Sequence, residues 1–353
     1  MIYDSKFPNF YLPFIPPMSS PTLSQPSPLP PVPSPPPPLQ PMPPPPSPPP
    51  TESPPPPPPQ VGAMRFFLPN SVMHNMTDEE LFWWASMAPR VRNTPYHRVP
   101  KVAFLFLTRG NLPLWPLWET FFTGYDGMYS IYVHTDPSYT GSPPKESAER
   151  RLLANALLDL ANERFALVSE SCIPLYNFTS VYTLLTGSST SFVDSFVNHD
   201  SEVRYNPFFA DHANISLAQW RKGFQFFEMD RALALEVISN DTYLPAFRDY
   251  CAAVPGCLMD EHYIPTLLSL VGWKHNANRT LTFADWRMGG VHPRTYGKGD
   301  VTEALIREIR GGAGKNCTYN DGANGTCYLF ARKFAPDALE PLLSLAPKVM
   351  GFG

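Results

Sequence analysis

The sequence predicts an α/β protein with a mainly parallel sheet flanked by helices, preceded by a disordered proline-rich segment. Three observations support this prediction. More than half of the 46 prolines lie within residues 1–60. Beyond them, continuous apolar runs alternate with helical patterns, which is typical of parallel strands joined by crossover helices. Polar residues follow each apolar run, and in such sheets ligands bind beyond the carboxyl ends of the strands.

Residues 1–63 are predicted to form a stem without a core of its own. Proline has no backbone N–H, so the runs 34–38 and 41–50 favour extended polyproline II. At ~3.1 Å per residue, such a tract is a semi-rigid spacer. Residues 64–353 have an ordinary globular composition and can bury one large core. We therefore expect a disordered stem over 1–63 and a single folded domain over 64–353.

The first half of the domain is predicted to hold a helix and then three strands separated by two helices. The first helix, residues 77–86, begins at a capping box with Thr77 as N-cap and Glu80 three residues later. Each strand is a run of apolar, β-forming residues, as expected of a strand buried on both faces. The predicted strands are 101–108, 129–136 and 164–170, and the helices between them are 113–122 and 147–162.

The second half is predicted to be mainly helical. Asp300 and Glu303 form a cap-like pair at one helix start, and Pro336 precedes the last helix. The predicted helices are 228–240, 260–271, 301–310 and one that ends near Leu345.

Several function classes lack support in the sequence. Neither the G-x-G-x-x-G dinucleotide motif nor the P-loop motif occurs. The net charge of −4 and the pI near 6.1 argue against a nucleic-acid partner, which usually meets a basic face. The Ser-Pro-Pro-Pro-Pro runs are similar to extensin repeats, which leaves a structural cell-wall role as one alternative. However, the tract is short and a large domain follows it.

Asparagine and cysteine usage indicates an oxidising, secretory compartment. Seven N-x-Ser/Thr sequons occur, at Asn75, Asn177, Asn214, Asn240, Asn278, Asn316 and Asn324. Chance supplies roughly two or three in such a chain. Cys251 with Cys257, and Cys317 with Cys327, could close short disulfide loops, which leaves Cys172 over as a buried thiol. Neither a signal peptide nor an apolar span of ~20 residues is apparent. We therefore expect the anchor to lie upstream of Met1.

Eight collinear blocks of the domain resemble the plant branch of the core-2/I-branching N-acetylglucosaminyltransferase family. They include KVAFLFLTRGNLPLWPLWE, QWRKGFQFFEMDRALA, CLMDEHYIPTLL, LTFADWRMGGVHPRTYG and CYLFARKFAPDALEPLL. The resemblance implies a GT-A-type fold and a type II Golgi membrane protein with a lumenal catalytic domain. It also implies inverting transfer of a monosaccharide, expected to be N-acetylglucosamine, from a UDP-sugar to a glycan or glycoprotein hydroxyl. Family members need no metal cofactor, and no D-x-D motif occurs in this sequence.

The same resemblance assigns the groups that such a transfer needs, namely a base and cations for the departing diphosphate. Glu261, in CLMDEHYIPTLL, matches the segment that provides the base, although a carboxylate there could simply cap the helix. Arg332 and Lys333 match the diphosphate-binding residues, although two adjacent cations more often mark a solvated surface.

Three further residues are assigned to the donor and acceptor. Asp136 ends the second strand and resembles the nucleoside-contacting aspartate, with a turn residue before Pro137 as the alternative. Trp286 resembles an acceptor-site aromatic, with a core tryptophan as the alternative. Glu170 lies beside the expected cleft as a further acceptor contact. His292 and Arg294 fall where the family has loop residues near the diphosphate.

One segment departs from the family pattern. Between Tyr139 and Ala148 only TGSPPKES occurs, whereas related sequences have an additional strand and a Trp-Gly pair near the nucleotide. The shortening predicts the loss of one wall of the donor pocket. It also leaves a second hypothesis open, in which the chain is a catalytically impaired relative that binds glycans or a partner.

Overall fold

The computed structural model describes residues 2–3, 74–90, 97–135, 145–254, 258–312, 317–320, 322–324 and 326–353. The chain divides into one unit formed by Met1–Phe7 and Gly62–Gly353 and a second over Pro8–Val61. The second unit lies outside the described residues, and so does the predicted stem apart from Ile2 and Tyr3.

The predicted parallel sheet is confirmed as the centre of the domain. Its five strands are, in spatial order, β1 (Ile2–Tyr3), β3 (Tyr129–Thr135), β2 (Lys101–Thr108), β4 (Asn162–Ser169) and β6 (Glu228–Asp230). Strand β2 pairs in parallel with β3 on one side and with β4 on the other, and β1 and β6 add antiparallel edges. Strands β2 and β4 are mostly buried, which explains their apolar residues. The prediction that β3 is buried on both faces is wrong, because only Tyr132 is buried among residues 129–134.

The helices of the first half follow the predicted pattern. Helix α1 (Asp78–Ser86) begins at the predicted capping box, in which the Thr77 hydroxyl accepts from the Glu80 N–H and the Glu80 carboxylate accepts from the Thr77 N–H. The crossover helices are α2 (Trp115–Phe122) and α3 (Lys145–Leu157). Helix α3 ends earlier than the predicted residue 162.

A second, three-stranded sheet brings the C-terminal part of the chain against the first. Strand β10 (Phe330–Arg332) pairs in parallel with β7 (Thr282–Ala284) and antiparallel with β5 (Ile173–Pro174). The indole N–H of Trp118 on α2 donates to the Cys172 carbonyl at 3.0 Å. This bond ties the start of β5 to the aromatic core around Phe104 and Phe121.

A short hairpin precedes β10. Its strands are β8 (Cys317–Tyr319) and β9 (Gly322–Asn324). The predicted Cys317–Cys327 disulfide is present, and Cys172 is a buried free thiol as predicted. The predicted pairing of Cys251 involves Cys257, which lies outside the described residues.

The remaining helices carry the second half of the core. They are α4 (Phe178–Gly187), α5 (His199–Val203), α6 (Phe208–Ala213), α7 (Arg231–Ser239), α8 (Leu244–Ala253), α9 (Met259–Leu270), α10 (Glu303–Arg310) and α11 (Leu339–Leu345). A 3-10 turn (Pro336–Ala338) leads into α11, and a π-helical turn (Ala346–Met350) follows it. In the part of the chain that the structure describes, no helix combines the length and apolar character needed to cross a bilayer.

Two further predicted details are wrong. The helix predicted over 228–240 begins only at Arg231, because residues 228–230 extend the central sheet as β6. The N-cap of α10 is Thr302 and not Asp300. The Asp300 carboxylate is engaged elsewhere, since it pairs with Arg294 at 2.8 Å and accepts from the Gly297 N–H at 2.9 Å.

Candidate functional site

The carboxyl ends of the central strands lie against the end of β10. Leu107 on β2 is paired with Ser169 on β4, so the residues that follow each strand leave the sheet side by side. The Phe334 N–H donates to the Ser171 carbonyl at 2.9 Å. Glu170 therefore lies next to the segment that carries Arg332 and Lys333. The predicted grouping of polar residues at this edge is present in the structure.

Arg332 is held in an unusual environment for a cation. Its guanidinium lies over the ring of Phe226 at 4.1 Å and over that of Phe224 at 5.8 Å. Its Nε is buried and has no hydrogen-bond partner among the described residues. Burial is the main reason that the pKa of Arg332 is lowered, while Cys172 and Glu170 oppose that shift. A cation with unused donors is suited to an anionic ligand.

Lys333 belongs to the same cationic group. Burial lowers the pKa of its ammonium, and the positive charges of Arg332 and Arg109 lower it further. Arg109 follows β2 directly and is exposed. Three cations thus repel one another here, with Glu170 as the carboxylate that acts in the opposite sense. We call Arg109, Arg332 and Lys333 the strand-tip cations. Their positive charges give this edge of the sheet an electrostatic potential that favours anions.

Glu261 lies in the first turn of α9, and its side chain is about a quarter exposed. The N-cap, Leu258, makes no side-chain capping bond, and the Glu261 carboxylate binds cations instead. Its Oε2 accepts from Arg204 at 2.7 Å and lies 3.5 Å from the Lys222 ammonium. Its Oε1 has no hydrogen-bond partner among the described residues. The carboxylate is therefore held by two cations through one oxygen and is partly open to solvent.

A short segment, residues 222–226, connects Glu261 with the strand-tip cations. The Gly223 N–H donates to the Glu261 carbonyl at 2.8 Å, and the next residue, Phe224, packs against Arg332. Residue 223 has to be glycine, because a Cβ there would lie 2.1 Å from the Asp194 carbonyl oxygen. The chain spans at most about 3.5 Å per residue, so only a short stretch of backbone separates Gly223, which is bonded to Glu261, from the phenylalanines that pack against Arg332.

Trp286 lies in the loop that follows β7, which is the parallel neighbour of β10. Ala284, two residues earlier, is paired with Arg332. Trp286 is 45% exposed, so it is not a core tryptophan. The backbone at Trp286 therefore lies two residues beyond the strand position that is paired with Arg332.

The other predicted residues have different positions. Asp136 lies outside the described residues. Arg294 binds Asp300, and its guanidinium also lies 5.1 Å from the ring centre of Tyr296. His292 is exposed. Cys172 is buried, and burial raises the pKa of its thiol, which agrees with the expected inert role.

Sequence reasoning assigned no individual role to three cations, namely Arg109 after β2 and the two partners of Glu261, Arg204 and Lys222. Arg109 stands directly after a predicted strand, so its position was a usable signal. Arg204 is 57 residues from Glu261 in sequence, and only the tertiary fold brings the two together.

Within the described ranges, no group of three or more His, Cys, Asp and Glu side chains is arranged to hold a metal ion.

Comparison with known proteins gives two findings. The family model described as "Core-2/I-Branching enzyme" matches residues 102–147 and 138–310. The chain is 34% identical over 309 residues to Glycosyltransferase BC10 of Oryza sativa subsp. japonica, an alignment covering 70% of this chain and 76% of that protein. The two family matches overlap over residues 138–147.

Proposed function

Because the chain belongs to the plant core-2/I-branching glycosyltransferase family, we propose that it transfers a monosaccharide from a UDP-sugar to a glycan or glycoprotein hydroxyl with inversion. The observation that carries this proposal is the group of strand-tip cations beside the segment that leads to Glu261. The parallel central sheet fits a GT-A-type fold, in which a nucleotide binds at the carboxyl edge.

The strand-tip cations have the chemistry that a departing diphosphate requires. As the bond between the anomeric carbon and the phosphate oxygen breaks, its electron pair stays on UDP and adds negative charge to the diphosphate. Burial and neighbouring positive charges disfavour the charged forms of Lys333 and Arg332. A bound anion stabilises these charged forms, because its negative charge offsets both effects. Stabilisation by fixed cations supplies the charge that a metal ion supplies in other transferases. Transfer is accordingly proposed to need no metal cofactor.

Glu261 is the proposed base. The acceptor hydroxyl gives its proton to the Glu261 carboxylate while the acceptor oxygen forms the new bond to the anomeric carbon. The free Oε1 is the atom suited to receive the proton, because Oε2 is held by Arg204 and Lys222. These two cations orient the carboxylate before the acceptor arrives.

Trp286 and Glu170 are the proposed acceptor contacts. An exposed indole can stack on the apolar face of a sugar, and a carboxylate can accept from sugar hydroxyls. Asp136 is proposed to contact the nucleoside, as the resemblance implies. N-acetylglucosamine is the proposed sugar, and the Golgi membrane is the proposed location, with the catalytic domain in the lumen.

The alternative is a catalytically impaired relative that binds glycans or a partner. The short segment between Tyr139 and Ala148 favours it, because related sequences carry part of the donor pocket there.

Glu261→Gln tests the proposal and separates these two functions. The purified protein is incubated with UDP-N-acetylglucosamine and other UDP-sugars, and UDP release is measured with and without acceptor glycans. We expect acceptor-dependent release to fall by a factor of about 10² to 10⁴ in the variant, because general-base catalysis contributes that much. UDP affinity is expected to change little. Turnover that persists unchanged would remove Glu261 as the base, and an inert wild-type protein that still binds glycans would favour the alternative.

A further inference from the structure

Asp285, at the end of β7, is a buried carboxylate whose bonds all lie within its own loop. Its side chain is 2% exposed. The Arg287 Nε and Nη2 donate to its two oxygens at 2.9 Å each, and the Arg287 backbone N–H donates at 3.0 Å. The Tyr296 hydroxyl adds a fourth bond at 2.7 Å. Chiefly because of the bonds from Arg287, the pKa of Asp285 lies well below its usual range, so the carboxylate stays ionised.

The backbone of the same loop is fastened to Lys333. The Arg294 N–H donates to the Asp285 carbonyl at 2.8 Å, and the Arg294 carbonyl accepts from the Lys333 N–H at 3.4 Å. The Tyr296 N–H donates to the Lys333 carbonyl at 2.8 Å. Backbone hydrogen bonds therefore join the C-terminal end of the loop over 285–296 to Lys333, the residue proposed to bind the diphosphate.

The tip of the loop, in contrast, is exposed and carries apolar side chains. Met288 and Val291 are 80% and 88% exposed. Gly289 and Gly290 have φ angles of +68° and +95°, a backbone conformation that residues with a Cβ rarely adopt. These two glycines allow the chain to reverse direction at the tip. Trp286 lies between the anchored base and this tip. Its two neighbours in sequence, Asp285 and Arg287, are bonded to each other.

From this arrangement we infer that Asp285 is a positioning residue that fixes the Trp286 indole relative to Lys333, and through it the acceptor relative to the transferred sugar. The inference rests on the proposed function. Its physical reason is that transfer requires the acceptor oxygen and the anomeric carbon to meet in a defined geometry. A displacement of about 1 Å can cost on the order of 100-fold in rate. The ionised carboxylate holds the loop more firmly than a neutral group can, because its bonds to Arg287 are charge-assisted.

Asp285→Asn tests the inference by comparing transfer with donor hydrolysis. Asparagine keeps the size but gives up the charge and one accepting oxygen. We expect the acceptor KM to rise by about 10-fold or more, while UDP-sugar hydrolysis without acceptor stays within about twofold. Tyr296→Phe removes one bond only and is expected to raise the acceptor KM by a smaller factor. Lys298→Ala, an exposed residue of the same region paired with Glu340, is the matched control and is expected to change neither quantity.

Two outcomes would overturn the inference. One is a parallel fall of transfer and hydrolysis in both Asp285→Asn and Tyr296→Phe, which indicates a merely structural role. The other is an unchanged acceptor KM.

A readout that does not depend on activity separates this inference from the proposed function. In Asp285→Asn, the backbone amides of Arg287 and Arg294 are expected to exchange with deuterium faster, while those of β2 and UDP affinity stay unchanged. If the wild-type protein shows neither transfer nor hydrolysis, the proposed function fails. Unchanged amide exchange would refute the anchoring role of Asp285 in either case.

Discussion

The buried cations at the two ends of the central sheet differ in their hydrogen-bond and ion-pair partners. At the amino end, Arg231 is buried and donates to the carbonyls of Leu157, Asp159 and Asn162 at 2.8–3.1 Å. Lys101 there pairs with Asp159 at 3.0 Å. At the carboxyl end, Arg332 and Lys333 are also desolvated, but they face other cations, and the Arg332 Nε has no partner among the described residues.

The difference shows which charges serve folding and which are kept for a ligand. A buried cation that is fully hydrogen-bonded offsets its desolvation within the protein. A buried cation beside like charges destabilises the unliganded fold and persists where an anion completes the site. The strand-tip cations are therefore the charges that we propose to serve a ligand, and the following predictions test the contrast between the two ends of the sheet.

The largest expected effect on stability is that of Arg231→Met. The substitution leaves three buried carbonyls without their donor, which costs about 3–5 kcal/mol in the free energy of unfolding. Chemical denaturation monitored by circular dichroism measures it. Arg307→Met is the matched control, because Arg307 is exposed and pairs with Glu303 on the surface of α10, a pair worth at most about 0.5 kcal/mol. Equal effects of the two substitutions would contradict the assigned structural role.

Lys333→Met is expected to have the opposite consequence at the other end. UDP affinity should fall by about 100-fold, since a charge-assisted contact to the diphosphate is lost. The melting temperature without ligand should rise slightly, because one of three repelling charges is gone. Titration calorimetry and thermal denaturation give the two numbers. Lys298→Met, which removes an exposed lysine, should change neither, and a destabilised Lys333 variant would count against the contrast.

A smaller, pH-dependent effect is expected from Glu228 on β6, a buried carboxylate that accepts from the Leu281 N–H and the Thr282 hydroxyl. Burial raises the pKa of Glu228 to about 8. Between its unfolded pKa of 4.5 and this value, the folded protein holds a proton that the unfolded chain has lost. Stability should therefore fall as pH rises from about 4.5 to about 8.

Glu228→Gln is expected to remove this part of the slope. Melting temperatures of both proteins at several pH values give the comparison, and we expect a difference in slope of a few degrees over this range. Identical slopes would show that Glu228 is ionised in the fold.

Much of the fold could be predicted from the sequence because the signals are local. The runs that became β2, β3 and β4 are rich in apolar, β-forming residues, and the Thr77–Glu80 capping box is a pattern of four residues. Predictions failed where tertiary contacts decide. Residues 228–230 joined the sheet because β4 offered an edge. Asp300 did not cap α10 because Arg294 and the Gly297 N–H hold its carboxylate.

In the candidate site, too, local sequence signals could be predicted and tertiary contacts could not. Positions at strand ends pointed to Glu170 and to the 332–333 pair, and the structure places them side by side. Periodicity has no means of predicting that Arg204 and Lys222 bind Glu261, since those contacts join distant segments. The exposure of Trp286 likewise follows from the anchored loop around it and not from its own sequence context.

The central claim, that the strand-tip cations bind a diphosphate, is tested most directly by comparing UDP with uridine. Titration calorimetry with the full chain measures both dissociation constants for the wild type and for Lys333→Met. We expect UDP to bind the wild type about 100-fold or more tightly than uridine, and the variant to lose most of that advantage. Equal affinities of UDP and uridine for the wild-type protein would contradict the account.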